Sequence, residues 1–492
     1  MAEPLHHDVM IIGAGFGGLG MGIALKRAGR DDFMIVEQDV GVGGTWHVNR
    51  YPGAACDIPS LLYSFSFAPN LNWTRVFPQQ AEIEAYLNDC VARFGLAQHL
   101  RLRTRVVALV WDETSQRWTV RAQAPGGPEL EWTARIVVNA TGLLTRPVTP
   151  DLPGLADFAG PLMHTARWRG EVPLAGKRVG VVGTGASAIQ VVPQLVKSAG
   201  AVALFQRTPA WVLPKSDRPL GPARRWLYRN VPGWHRLARS LIYATHEMRV
   251  PGFTRRPWLL KMAEPVAASF MRHQVSDPAL REALTPRYRM GCKRILIASD
   301  FYPALQRRNA QLVTAGIERV LPAGIRTVDG EYHALDVLVL ATGFHAAEAM
   351  VPFPVSGRHG ADLNTAWRDG ARAYLGCTVP GFPNLFFVAG PNTGLGHNSM
   401  VFMIESQVRY IVDGLKRMER AGLVTVDPKW DVVERFNTEL QQRMQGTVWA
   451  TGGCKSWYQT KSGLITTLWP ASTLEFRRRT RQFRLADYEG VR

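Results

Sequence analysis

Two stretches of the chain share one local pattern: a run of apolar residues, a glycine-rich turn, then a segment of helical periodicity. The first is Asp8-Val9-Met10-Ile11-Ile12 followed by Gly13-Ala14-Gly15-Phe16-Gly17-Gly18. The second is Arg178-Val179-Gly180-Val181-Val182 followed by Gly183-Thr184-Gly185-Ala186-Ser187-Ala188. Continuous apolar runs bounded by glycine turns predict strands covered on both faces, as in a parallel sheet. Each helical segment leads to another apolar run, Phe33-Met34-Ile35-Val36-Glu37 and Val202-Ala203-Leu204-Phe205-Gln206-Arg207. Later runs end in small residues, Arg135-Ile136-Val137-Val138 before Asn139-Ala140-Thr141-Gly142 and Val337-Leu338-Val339-Leu340 before Ala341-Thr342-Gly343-Phe344. Small residues there let backbone approach a ligand closely. Leu385-Phe386-Phe387-Val388 precedes Ala389-Gly390-Pro391-Asn392 and a helix predicted over about 400–419.

One GxGxxG turn is weak evidence. Two of them, each between a strand and a helix, predict an α/β chain with two Rossmann-type dinucleotide-binding domains. Gly13, Gly15 and Gly18 form the first turn; Thr184, Gly185, Ser187 and Ala188 belong to the second. Glu37 and Arg207 each stand 24 positions after the first glycine of their turn. A carboxylate at that place accepts hydrogen bonds from ribose hydroxyls and repels a phosphate, whereas arginine pairs with the 2′-phosphate of NADP through its planar fork. The first site is therefore predicted to hold FAD and the second NADPH. The order along the chain reads as an FAD-binding part (1–145), an NADP-binding part (146–213), a basic helical insertion (214–285), a return to the NADP domain (286–335) and a return to the FAD domain (336–492).

Composition fits this plan. At 492 residues, 46% apolar and 20% charged, the chain has the make-up of about three globular domains. Its 15 Trp, 20 Phe and 12 Tyr exclude a disordered chain. Cys56, Cys90, Cys292, Cys377 and Cys454 are too few and too scattered for a disulfide scaffold or a Cys-x-x-Cys metal site, so no metal centre and a reducing cytosol are expected. No apolar run approaches the ~18 residues of a membrane span, and no secretory signal is expected. The net charge of +18 is uneven: between Pro214 and Met262 eleven Lys/Arg face two Asp/Glu. Interleaved Trp226, Tyr228, Trp234, Tyr243, Phe253 and Trp258 read as a solvated helical insertion whose aromatic face packs on the body. A weak peripheral contact with acidic lipid headgroups is the alternative reading, and nucleic acid is not expected.

Further motifs carry a family resemblance. Gly43-Gly44-Thr45-Trp46, Asn49-Arg50-Tyr51-Pro52-Gly53 and Cys56-Asp57 resemble the block between the two nucleotide sites of type I Baeyer–Villiger monooxygenases. Phe158-Ala159-Gly160, His164 and Trp168 resemble that family's FxGxxxHxxxW fingerprint, although Arg169 follows where Pro or Asp is usual. Gly291-Cys292-Lys293-Arg294 resembles the segment that brings the active-site arginine, and Trp457 the C-terminal tryptophan that contacts NADP.

The resemblance implies that NADPH reduces FAD, that O₂ then gives a flavin C4a-peroxide, and that this adds to a ketone. The resulting Criegee adduct rearranges to an ester or lactone. It implies Arg294 as the fixed cation beside the reacting centre, with Asp57 pairing it. Lys293 joins Arg207 and Thr208 at the 2′-phosphate, and Trp457 closes over the nicotinamide nucleotide. Thr45, Trp46, Tyr63, Val106, Gln190 and Gln206 are implied as further cofactor-binding positions, and His164 as a structural residue between the nucleotide domains. The alternatives are an N- or S-oxygenating flavin-containing monooxygenase, which the aromatic–basic pair Trp168-Arg169 favours, and a disulfide reductase, which needs a cysteine partner for Cys56.

Overall fold

The computed structural model describes residues 5–346 and 351–492. Its first glycine-turn unit is built on a mixed sheet in which Leu5–Ile12 lies between Phe33–Val36 and Glu129–Asn139, parallel to both. The outer strands Arg117–Gln123 and Arg105–Asp112 continue antiparallel from Glu129–Asn139, and Leu385–Phe387 adds parallel to that strand's end. Val9, Ile11, Ile35 and Val138 are buried on one face, against helices Phe16–Arg27 and Met400–Arg420. These strands read as apolar runs rather than alternating ones because both faces are covered.

The second unit is an all-parallel sheet in the order Ala310–Val313, Ala201–Phe205, Arg178–Val182, Val337–Leu340, Leu162–His164. Helix Ala188–Ser198 packs Ile189, Val192, Leu195 and Val196 onto it. The chain leaves Arg178–Val182 in one direction and returns on its other side at Val337–Leu340, which creates a crevice at the carboxyl ends of those two strands, the usual ligand site of such sheets. Val337–Leu340 also marks a correction. Read as the start of the closing FAD segment, it pairs instead in the second sheet, so that sheet extends past the expected boundary at 335. Four consecutive buried residues carry no signal for which parallel sheet they join.

Between the two halves of the second sheet lie helices Pro222–Asn230, Trp234–Glu247, Val250–Phe253, Trp258–Lys261, Glu264–Gln274 and Pro278–Ala283. The expected packed aromatic face is only partly present. Tyr228 and Phe253 are buried, but Trp226, Trp234 and Trp258 face outward. The cysteine expectation also needs correction: Cys292 and Cys454, 162 residues apart in sequence, form a disulfide, while Cys56, Cys90 and Cys377 are free and buried. Among the described residues no helix is long and apolar enough to cross a membrane, and no group of side chains could hold a metal ion.

Candidate active site

A continuous cleft of about 2000 Å³ runs along the carboxyl ends of the parallel strands of both sheets. Its floor is set by glycine. Gly13 has φ +102°, and a Cβ there would meet the Ala140 carbonyl oxygen at 2.8 Å; Gly183 has φ +114°, and its Cβ would meet the Ala341 oxygen at 2.4 Å. Each Ala-Thr-Gly return thus presses its alanine backbone against the first glycine of a turn, which explains why the small-residue motif occurs twice. At Gly18 a Cβ would sit 1.8 Å from the Gly13 oxygen, so helix Phe16–Arg27 can start against the turn only with glycine there.

Neither that helix nor Ala188–Ser198 has a side-chain cap; Gly15 and Ser187 hold the cap positions. Their first amides are left for an anionic ligand, as phosphate-binding helix starts require. Glu37 follows strand Phe33–Val36 and is buried, its carboxylate accepting from the amides of Ala14 (2.7 Å) and Asp39 (3.0 Å). Burial raises its pKa against the lowering by these hydrogen bonds. Thr45 opens helix Thr45–Val48, and Val106 lies on strand Arg105–Asp112; both line the cleft.

On the second unit, Arg207 follows strand Ala201–Phe205 and is exposed at the cleft. Lys293 lies close enough that burial first, and then the Arg207 charge, pull its pKa down. Neither cation has an ion-pair partner among the described residues, and the Lys293 ammonium sits 5.2 Å over the Tyr288 ring. Two neighbouring cations without a carboxylate make a site for a multiply charged anion. The Thr184 hydroxyl donates to the Thr208 carbonyl (2.7 Å), which braces this corner. Gln206 donates to the Ala283 carbonyl (2.7 Å) and so ties it to the insertion.

Gln190 serves the space between the units. Its side-chain oxygen accepts from the Ala55 amide (3.0 Å) and the Tyr51 hydroxyl (3.2 Å), and its NH₂ donates to the Ala55 carbonyl (3.1 Å). The amide is thus engaged by the segment leading to Asp57, which fixes that carboxylate relative to the second sheet.

Arg294 reaches the same point from the other side. It stands two residues before the short strand Leu296–Ile297, which pairs with Val212–Leu213 just after Arg207-Thr208. Its Nε donates to Asp57 Oδ2 at 2.7 Å and its Nη2 to Oδ1 at 2.8 Å, a two-point pair. Burial alone would raise the Asp57 pKa, but the charge and hydrogen bonds of Arg294 bring it below the usual carboxylate value. Asp57 in turn raises the arginine's pKa against the effect of burial. The pairing thus favours the charged form of both groups, and Nη1 is not among the atoms bonded to Asp57.

Trp46 donates to the Tyr63 hydroxyl (3.0 Å) with the rings edge to face at 5.5 Å, forming one wall of the cleft. Burial raises the Tyr63 pKa well above normal, so the phenol stays protonated. Trp457 is exposed at the rim, on a segment joined through Cys454–Cys292 to the Arg294 loop. Tyr458, unremarked in the sequence reading, is buried beside Arg294, whose charge opposes the raising of the phenol's pKa by burial. Its only sequence signal was its place next to Trp457.

His164 ends strand Leu162–His164, where its Nδ1 accepts from the Ala166 amide (3.0 Å). Burial pushes its pKa down to about 4, so it is neutral near pH 7 and serves as a brace. Gly160 packs so closely that a Cβ would lie 2.3 Å from the Asp336 oxygen. The unusual Arg169 points to solvent and pairs with Glu171 at 2.9 Å. Cys56 is a free buried thiol whose pKa burial, and then Asp57, drive up, so it lacks the partner a dithiol centre needs there.

Comparisons with known proteins agree with this geometry. Residues 10–221 match the pyridine nucleotide-disulphide oxidoreductase family model. A Baeyer-Villiger monooxygenase of Streptomyces coelicolor is 46% identical over 491 residues, covering 99% of this chain and 93% of its own. One from Pseudomonas aeruginosa is 46% identical over 488 residues, covering 99% and 92%. The solved structure of OTEMO in complex with FAD and NADP superposes with a TM-score of 0.88 at 26% identity, covering 99% of this chain and 100% of that one.

Proposed function

Because this chain belongs to the Baeyer–Villiger monooxygenase family, we propose that the Asp57–Arg294 pair is the centre at which its reaction occurs. The protein is an FAD-dependent oxidoreductase that consumes NADPH and O₂ and converts a ketone to an ester or lactone. FAD, reduced by NADPH, supplies the activation of O₂ when bound. The glycine cradle at Gly13 and Gly18, the uncapped helix start after Gly15 and the strand-end Glu37 suit the first dinucleotide. The second turn with Gly185, Ser187 and Ala188, and the unpaired cations Arg207 and Lys293, suit NADPH.

The remaining chemistry falls to side chains. When an oxygen nucleophile adds to a ketone, negative charge grows on the former carbonyl oxygen. Arg294 supplies a charge that cannot be lost by proton transfer, and its Nη1 is not among the atoms bonded to Asp57. Asp57 holds the guanidinium at two points, so little reorganisation is needed as charge develops. Tyr458 and the Trp46–Tyr63 wall exclude water, and Trp457 on its rim segment caps the nicotinamide nucleotide. Ile58, Leu395, Met400 and Leu468 line the same cleft and support an apolar ketone as substrate.

The observation that carries this reading is the two-point Asp57–Arg294 pair where the nucleotide units meet. Its test is Arg294→Ala assayed with NADPH and a panel of ketones. Ester formation is expected to fall by roughly 10²–10³-fold or more, the loss usual for one hydrogen-bond donor to a developing oxyanion, while stopped-flow reduction of FAD by NADPH changes little. Equal loss of both steps would instead assign Arg294 to hydride transfer or folding.

A further inference from the structure

Helix Trp234–Glu247 carries apolar residues on its outer side as well as on the side packed against the body. A surface helix normally turns its apolar stripe inward. Here the inner side is mixed: Ala238, Ile242 and Tyr243 pack on the core, while Arg239 donates to the carbonyls of Leu61 and Ser64 (the latter at 3.1 Å), the Tyr243 hydroxyl bonds Thr473 (2.7 Å), and Glu247 holds Asn398 (3.1 Å) and His397 (3.4 Å). The outer side presents Trp234 (42% exposed), Leu237 (51%), Leu241 (59%), Ala244 and, one position beyond the helix, Met248 (71%). Their 3-4-3-4 spacing puts all five in one stripe, uninterrupted by a charge. Trp226 on the preceding helix is 59% exposed, and Trp258 and Met262 extend the exposed apolar surface of the insertion.

The charges around this stripe have one sign. Arg224, Arg229, Arg236, Arg255, Arg256 and Lys261 are exposed, and none forms an ion pair among the described residues. Between residues 222 and 263 the one carboxylate is Glu247, whose side chain is 11% exposed and committed to the network above. We propose that this insertion docks on an anionic lipid surface, with the Trp234–Met248 stripe entering the headgroup–acyl boundary and the arginines meeting lipid phosphates. Exposed tryptophan, an aliphatic stripe and unpaired arginines are the three features an interfacial helix combines. A second copy of this chain fits worse, because a two-fold contact would set arginine against arginine with no exposed carboxylate between them. Lipid docking does not depend on the reaction assigned above, so either reading can fail alone.

The test is co-sedimentation of FAD-loaded enzyme with vesicles of phosphatidylglycerol and phosphatidylcholine, and with phosphatidylcholine alone, at low salt. Binding to the mixed vesicles is expected, weaker by about tenfold or more on the neutral ones. The double variant L237E/L241E should lose roughly tenfold or more of that binding, yet keep its FAD and its turnover of a water-soluble ketone. If that variant does not retain FAD, L237S/L241S takes its place with the same readout. No sedimentation with anionic vesicles overturns the proposal. So does undiminished binding of the double variant, which would mean attraction by charge alone. A dimer in sedimentation velocity that the double variant dissolves would identify a second copy as the occupant and overturn it too.

Discussion

At the scale of single residues, the chemistry rests on which charges are paired and which are not. Asp57 holds Arg294 at close range, so that cation is fixed in place; Arg207 and Lys293 have no carboxylate partner among the described residues, which suits them to an anion. A phosphate between the latter two would relieve their repulsion and gain charge-assisted hydrogen bonds, each worth about 1.5–3 kcal/mol. Arg207→Ala is accordingly expected to raise the apparent KM for NADPH by about 10- to 100-fold and to leave that for NADH nearly unchanged. Steady-state kinetics with both nucleotides checks this, and equal changes would undo the 2′-phosphate assignment. The expectation for Arg207 comes from residue type and spacing, since a strand-end arginine after a glycine turn carries its physical meaning locally, whereas those for Lys293, Arg294 and Asp57 come from the family resemblance. That Gln190 gives its whole amide to Tyr51 and Ala55 was not readable, because the partners stand more than a hundred positions away.

At the scale of elements, two loops that line the cleft are joined to each other. Gly452 packs so tightly that a Cβ would lie 2.5 Å from that of Cys292, the Arg289 amide donates to the Gly452 carbonyl (3.0 Å), and Cys292 bonds covalently to Cys454. The loop bearing Lys293 and Arg294 thus holds the segment bearing Ser456, Trp457 and Tyr458. Cys454→Ser, or reduction of the wild type by a dithiol, should speed limited proteolysis between residues 446 and 463 severalfold and raise the KM for NADPH. Unchanged cleavage and KM would mean that packing at Gly452 alone fixes the segment. Sequence spacing concealed this link, since 162 residues separate the cysteines and no local pattern pairs them. In the same way Val337–Leu340 was legible as a buried strand but not as a member of the second sheet.

At the scale of the whole molecule, the proposed reaction needs the two nucleotide units in register, and Gln190 joins the second unit to Tyr51 and Ala55, close in sequence to Asp57. Gln190→Ala would leave the amide and carbonyl of Ala55 without their partner, at a cost of about 1–3 kcal/mol. The expected outcome is a lower Tm together with more NADPH consumed per ester formed, because Asp57 and Arg294 would no longer be held firmly against the second sheet. Calorimetry and product-to-NADPH ratios measure both, and a variant unchanged in each would assign the register to other contacts. The sequence by itself determined the two strand–turn–helix units, because each depends on residues near one another in the chain; the nucleotide expected at each unit rests on one strand-end residue, and the cation at position 294 on the family resemblance. Tertiary structure alone decided which strands share a sheet, that Cys292 meets Cys454, and that the insertion turns Trp234, Leu237 and Leu241 outward. Those outcomes depend on long-range packing, in which a buried strand or an amphipathic helix has more than one surface it could cover, and the amino-acid pattern of the element is the same for each.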